Sequence, residues 1–265
     1  MTDSGATLPP SRRELRARRD IRARRDNRAS ERSSAPLFDF DVFVSSPANG
    51  GASAAERPAG AESPSDDEAP VTILMVCTGN ICRSPMAEVL LRARLPGVGA
   101  RVHSAGTRAL IDHEMDRTMQ EVALRHGGAS EEAAAHRARQ LRESLADDAD
   151  LVLAMSREHR TAAVELSPRH LRRTFTVREF ARLSSSIDDD AISRTADAVG
   201  SAPRARLAAV IALVSGRRGH TTPGVAADDD VVDPYRRAHE VYEESAAQLV
   251  PAVDEVARVL RSALR

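Results

Sequence analysis

The chain has no tryptophan and no lysine, only two tyrosines and five phenylalanines, and only two cysteines. Each shortage excludes something. With 3% aromatic residues against 42% hydrophobic ones, the core must be assembled from alanine, valine and leucine. Cys77 and Cys82, five positions apart, can neither staple a secreted scaffold nor supply paired Cys-x-x-Cys metal ligands. The eight histidines show no metal-ligand spacing, so they are assigned structural or exposed positions, and no metal or other cofactor is expected. The longest apolar run, Leu207 to Val214, is eight residues, far from the ~18 that a membrane span requires. No apolar stretch follows the arginine-rich start, so no secretory leader is expected. All 38 basic residues are arginine, and against 39 acids they leave a net charge of −1, which gives no global field for nucleic acid. These bounds predict a soluble, cytoplasmic protein with no nucleic-acid partner and no membrane span.

The charge is balanced only in total. Residues 1–35 carry ten arginines against five acids, and residues 36–70 carry seven acids against Arg57. A six-residue repeat, Leu15–Asp20 and Ile21–Asp26 with a degenerate third copy to Arg32, fits neither helical nor coiled-coil spacing. This composition cannot bury enough apolar surface to offset ordering, so residues 1–70 are predicted to be a disordered, charge-segregated tail and linker. Its arginine half is either solvated or a contact for an anionic partner. Within it, Leu37 to Val44, with alternating Phe38, Phe40 and Val42, is the one stretch expected to dock as a strand.

From residue 71 the pattern changes. Val71–Val76, Arg101–Ser104, Leu151–Met155 and Arg172–Val177 read as strands. Helical spacing marks Pro85–Leu95, Glu114–Arg125, Arg157–Leu166, a start near Glu179, and Ala238–Leu264. Strands alternating with helices predict a three-layer α/β/α domain over 71–265 on a four-stranded parallel sheet. Residues 188–227 form a variable insertion with one readable helix, Ala202–Val214, and are expected to be either a lid or an ornament.

The first strand ends in Cys77-Thr78-Gly79-Asn80-Ile81-Cys82-Arg83-Ser84, with Pro85 opening a helix. A loop between a strand and a helix N-terminus turns backbone N–H groups toward one centre and makes an anion cradle. Gly79 relaxes the backbone, and Ser84 is expected as N-cap with Pro85 at the first helical position. Arg83 adds a planar fork for two phosphate oxygens. Cys77, at the bottom of such a cradle, is favoured as thiolate and hence as a nucleophile. A nucleotide-binding phosphate loop would place lysine before the serine, and there is none, so phosphate here is attacked rather than merely held.

These eight residues resemble the active loop of the low-molecular-weight protein tyrosine phosphatases. The resemblance continues in His103–Thr107, His136–Leu141, Ala149–Met155, Thr176–Phe180 and Asp233-Pro-Tyr235, covering 71–187 and 228–264. It implies a flavodoxin-like fold and metal-free hydrolysis of phosphotyrosine in proteins through a phosphocysteine. Cys77 is then the nucleophile, Arg83 the phosphate clamp and Asp233 the general acid and base. Thr78, Gly79, Asn80, Ile81, Cys82 and Ser84 complete the phosphate-binding loop, with Asn80 pinning it and Ser84 stabilising the leaving thiolate. Cys82 is either filler or the partner of a protective disulfide, and Tyr235 either lines the mouth or packs on the last helix. The implied partner is a phosphotyrosine-containing protein, for which a bacterial tyrosine kinase of polysaccharide export is the natural choice.

Three other functions share the fold or loop. Protein-arginine phosphatases tend to carry threonine where Ile81 stands. Arsenate reductases need a further cysteine, and none follows Cys82. A phosphoprotein-binding module would not need Cys77, Arg83 and Asp233 together.

Overall fold

A computed structural model describes residues 69–220 and 225–265. The apolar run at its start forms β1 (Val71–Cys77), buried at every position but Thr72. Burial on both faces is what a central parallel strand requires. β1 lies between β2 (Ala100–Gly106) and β3 (Leu151–Ala154), with β4 (Thr174–Thr176) at the edge beyond β3. All three pairings are parallel. The helices are α1 (Arg83–Arg94), α2 (Arg117–Arg125), α3 (Ser130–Ala135), α4 (Glu143–Asp147), α5 (Arg157–Leu166), α6 (Val177–Ser184), α7 (Asp189–Asp197), α8 (Pro203–Ser215) and α9 (His239–Leu264).

Side chains alternate across a strand, so β1 feeds two layers. Ile73, Met75 and Cys77 join the larger core with Met86 and Leu90 of α1 and with Leu249, Val253 and Val256 of α9. Leu74 and Val76 join the smaller one, with Val152, Ala154 and Ala163 of α5. Because the chain goes from β1 to β2 on one side and then to β3 on the other, the crevice at the carboxyl end of β1 is the topological switch point, where open α/β sheets bind ligands.

The four-stranded, three-layer prediction therefore holds, with local corrections. β4 is shorter than Arg172–Val177, because Pro168–Arg173 form a 3-10 turn ahead of it. The insertion holds a second helix, α7, that apolar spacing does not reveal, since only Ile192 and Ala196 of its nine residues are buried. Its signal is polar: Asp188 caps it, accepting from the Ala191 N–H at 2.6 Å. Helix α8 of the insertion packs into the core. Leu207, Val210 and Val214 of α8 are fully buried, and the Arg206 Nε donates to the Ala263 carbonyl at 2.8 Å. After it, the Arg218 guanidinium lies 4.0 Å from the Phe175 ring centroid and bonds Glu179 at 2.8 Å. No helix among the described residues is long and apolar enough to cross a membrane. The predicted tail, including Leu37–Val44, lies outside the described residues.

Candidate active site

Register places the first pieces. β1 and β2 pair so that Cys77 lies opposite Gly106, and Met75 opposite Ser104. Gly106 has no room for a side chain, because a Cβ there would fall 2.4 Å from the Thr78 carbonyl oxygen and 3.0 Å from the Asn80 nitrogen. The loop after β1 therefore folds directly over a glycine. Its carbonyls are drawn outward, Cys77 to the Thr107 N–H at 2.9 Å, Thr78 to Arg108 at 2.9 Å, Gly79 to Leu110 at 3.0 Å and Ile81 to Asp116 at 2.8 Å. Carbonyls fixed outward leave the N–H groups to line the inside, the geometry of an anion nest.

Asn80 is the pin. Its backbone sits in the left-handed region at φ 56°, which asparagine tolerates better than most residues. Its N–H donates to the Cys77 Sγ at 3.2 Å, and its amide nitrogen reaches Ser84 Oγ at 3.0 Å and Ser104 Oγ at 2.7 Å. Its side-chain oxygen accepts from the Arg139 N–H at 2.9 Å, and its carbonyl accepts from the His136 Nε2–H at 2.7 Å. Ser104 in turn donates to Glu88 at 2.5 Å. Ser84 is not the helix cap that its position suggests. α1 begins at Arg83, with Cys82 as a cap that makes no side-chain bond. The Ser84 hydroxyl instead lies 2.9 Å from the Cys77 sulfur. The Asn80 N–H and the Ser84 hydroxyl thus meet on one sulfur.

Arg83 is buried, yet joins the loop to a distant part of the chain. One Nη donates to the Val231 carbonyl at 3.0 Å, and the other pairs with the Asp233 carboxylate at 2.7 Å. Its Nε is buried without a hydrogen-bond partner among the described residues. Val231 reaches this spot because its N–H continues from β3, bonded to the Met155 carbonyl at 2.8 Å. Asp233 is half exposed, and its other oxygen accepts from the Tyr235 N–H at 3.2 Å, the short-range turn that an Asp-Pro start favours. Cys77, Arg83 and Asp233 thus meet at one end of the sheet.

Around them is a slot of about 200 Å³ whose walls include Ile81, Leu110 and Tyr235. Tyr235 lines the mouth, with the Arg236 guanidinium 5.0 Å from its ring centroid. Cys82 is also at the slot, and burial, followed by the charge of Asp116, pushes its thiol far above the usual range. No group of three or more His, Cys, Asp or Glu able to hold a metal occurs among the described residues.

Two histidines assigned to structural or exposed positions hydrogen-bond the loop. Besides His136, His159 holds the Thr78 hydroxyl at 2.7 Å through Nε2 and Ser156 at 2.8 Å through Nδ1. Burial, then the Arg83 charge, lowers the His159 pKa to about 4, so it is neutral at physiological pH. Ser104, Gly106 and His136 stand within motifs that the sequence displays. His159 and the Val231 carbonyl carry no local signal, because only the β3 geometry brings them near the loop.

Residues 72–191 match the family model described as low molecular weight phosphotyrosine protein phosphatase. The probable low molecular weight protein-tyrosine-phosphatase EpsP of Ralstonia solanacearum is 44% identical over 119 residues, which are 45% of this chain and 77% of that one. The chain belongs to the low molecular weight phosphotyrosine protein phosphatase family. Etp of Escherichia coli K12, named a low molecular weight protein-tyrosine-phosphatase, is 47% identical over 97 residues, 37% of this chain and 62% of its own length. The solved YwlE arginine phosphatase of Geobacillus stearothermophilus is 30% identical, with a TM-score of 0.50 over 72% of this chain and 94% of that one. The match of this family member to the family model ends at residue 191, so α8 lies wholly outside it.

Proposed function

We propose that the chain hydrolyses phosphotyrosine in proteins through a phosphocysteine on Cys77. The observation that carries the reading is a pair of contacts at the slot: the Asn80 N–H and the Ser84 hydroxyl on the Cys77 sulfur, and Asp233 held on Arg83. The Cys77 thiolate attacks phosphorus, the bond from phosphorus to the tyrosine oxygen breaks, and the departing phenolate takes the proton of Asp233. A parent phenol of pKa near 10 makes that proton valuable. Arg83 and the inward N–H groups hold the equatorial oxygens, over which the loose transition state spreads its charge. Water then attacks phosphorus while Asp233 accepts its proton, and the sulfur leaves as thiolate, stabilised by Ser84 and the Asn80 N–H. Asn80, in this reading, keeps the cradle shaped before substrate arrives. A bacterial tyrosine kinase of polysaccharide export fits as the phosphotyrosine-containing partner.

The substrate side of the reading rests on the slot walls. Ile81, Leu110 and Tyr235 present apolar surface suited to a flat phenyl ring. The similarity to an arginine phosphatase keeps a second reading in play, with phosphoarginine as substrate, and Ile81 is the residue that separates the two. The test compares kcat/KM on a phosphotyrosine peptide and a phosphoarginine peptide of the same sequence, for the wild type and Ile81→Thr. We expect the wild type to favour phosphotyrosine by ~10–200-fold, the range one apolar contact can supply, and Ile81→Thr to shrink that ratio. A wild type that prefers phosphoarginine would replace the first reading with the second.

A further inference from the structure

At the end of the sheet away from Cys77 lies a larger cavity, about 600 Å³, between the 3-10 turn Pro168–Arg173 and α8. Its position follows from Asp150, on its wall, which accepts from the Thr72 N–H at 2.8 Å where β1 begins. The five residue steps from Thr72 to Cys77 span ~17 Å of strand, so the cavity is separate from the aryl slot.

Four arginines line it, Arg169, Arg172, Arg173 and Arg204, against Asp150 as the one acid. That acid is already shared, taking the Thr72 N–H and sitting 3.7 Å from Arg204. Arg169 pairs with Asp147 at 2.5 Å. Arg172 is exposed and makes no ion pair or hydrogen bond among the described residues. Arg173 bonds the Asp147 carbonyl at 3.1 Å but keeps its Nε buried with no hydrogen-bond partner among the described residues. Burial first lowers the Arg173 pKa, with the charge of Asp150 and then Asp147 opposing it and those of Arg169 and Arg204 adding to it. Like charges so close, and so thinly compensated, favour an anion with more than one negative charge. The remaining wall is apolar. Ala208, Ile211 and Ala212 lie three and four residues apart and present one stripe of α8 to the cavity.

We propose that this cavity is a binding site for a small organic polyanion of the nucleoside diphosphate class. The two phosphates lie on Arg172, Arg173 and Arg204, and the ring on the stripe Ala208–Ile211–Ala212. A pocket of this volume suits one such molecule. Its apolar wall and Arg204 come from α8, outside the residues that match the family, while Arg172 and Arg173 lie within them, so the site joins this chain's insertion to the matched scaffold.

The test is calorimetric titration of the full chain with ADP, in the presence of saturating vanadate to occupy the Cys77 loop. One equivalent should bind, and inorganic phosphate at equal ionic strength should bind at least ~10-fold more weakly, because it leaves the apolar stripe unused. The double variant R172E/R204E should weaken ADP at least ~10-fold while keeping the wild-type urea midpoint, and R172Q/R204Q should weaken it less. No ADP binding at millimolar concentration, ADP displaced by vanadate, phosphate as tight as ADP, or binding unchanged in R172E/R204E would each overturn the proposal.

Discussion

At the carboxyl end of β1, Cys77, Asn80, Ser84, Ser104 and Glu88 form one bonded chain, and Arg83 spends two of its three nitrogens on Val231 and Asp233. At the other end, four arginines line a cavity of about 600 Å³ that has Asp150 as its one acid, and Arg172 makes no bond among the described residues. The first arrangement is fixed before any ligand arrives, as stabilisation of a developing charge demands. The second leaves its charge to be met from outside. The difference teaches that burial and bonding, rather than the number of arginines, separate the proposed catalytic cradle from the proposed binding pocket on the same sheet.

Substitutions at each end should then differ sharply. Among changes that leave the nucleophile in place, Asp233→Ala should have the largest effect, because it removes a proton needed only by a poor leaving group. With phenyl phosphate, kcat should fall by ~10²–10⁴, and with a nitrophenyl ester far less. Equal losses on the two esters would remove Asp233 from the acid role. Next is Gly106→Ala. Its Cβ would meet the Thr78 carbonyl at 2.4 Å, and backbone must move to admit it. A shift approaching 1 Å in the loop should cost ~10²-fold in kcat/KM, and overpacking ~1–3 kcal/mol in denaturant unfolding. An alanine variant with wild-type kinetics would mean that the loop is not braced on β2.

His159 gives a smaller effect, with a defined pH window. Its folded-state pKa is lowered to about 4 by burial and Arg83, below its ordinary 6.5. The unfolded chain therefore binds the proton first. The contribution of the neutral ring is complete above pH ~6.5 and is lost as pH falls toward ~4, by on the order of 3 kcal/mol. His159→Gln, which cannot titrate, should flatten stability against pH in that window, measured by urea unfolding at pH 7 and 5. An unchanged slope would show that His159 titrates freely. The smallest effect sharpens the comparison by its size: R172Q/R204Q should leave kcat/KM on an aryl phosphate within ~2-fold of wild type, since surface charge ~17 Å from the reacting atoms is largely screened.

Much of the molecule can be read from residue order. Val71–Val76 declares a doubly buried strand because every position is apolar or threonine, and the loop from Cys77 to Ser84 points to its proposed chemistry because the proposed nucleophile, pin and clamp are contiguous. Asp233 is legible only through resemblance, since Asp228, Asp229 and Asp230 compete with it and the bonds that select it run through Met155 and Val231. Ser84 looks like a helix cap because local rules see a serine before proline, not a sulfur 2.9 Å from its hydroxyl. α7 is hidden because a helix with two buried side chains leaves no apolar stripe. The arginine cavity is hidden for a different reason. Its walls lie some thirty residues apart, on a turn and an insertion that only the folded sheet edge brings together.

The proposed chemistry turns on a covalent bond between phosphorus and the sulfur of Cys77. Mixing the enzyme with a labelled aryl phosphate, quenching in acid within one turnover and mapping the labelled peptide tests it directly. The expected result is a burst of phenol of about one equivalent and label on the peptide containing Cys77. Neither should occur in Cys77→Ser, whose turnover should fall by on the order of 10⁵-fold or more while vanadate still binds the cradle. Turnover by the wild type with no trapped phosphate on Cys77, or a Cys77→Ser variant that keeps its activity, would contradict it.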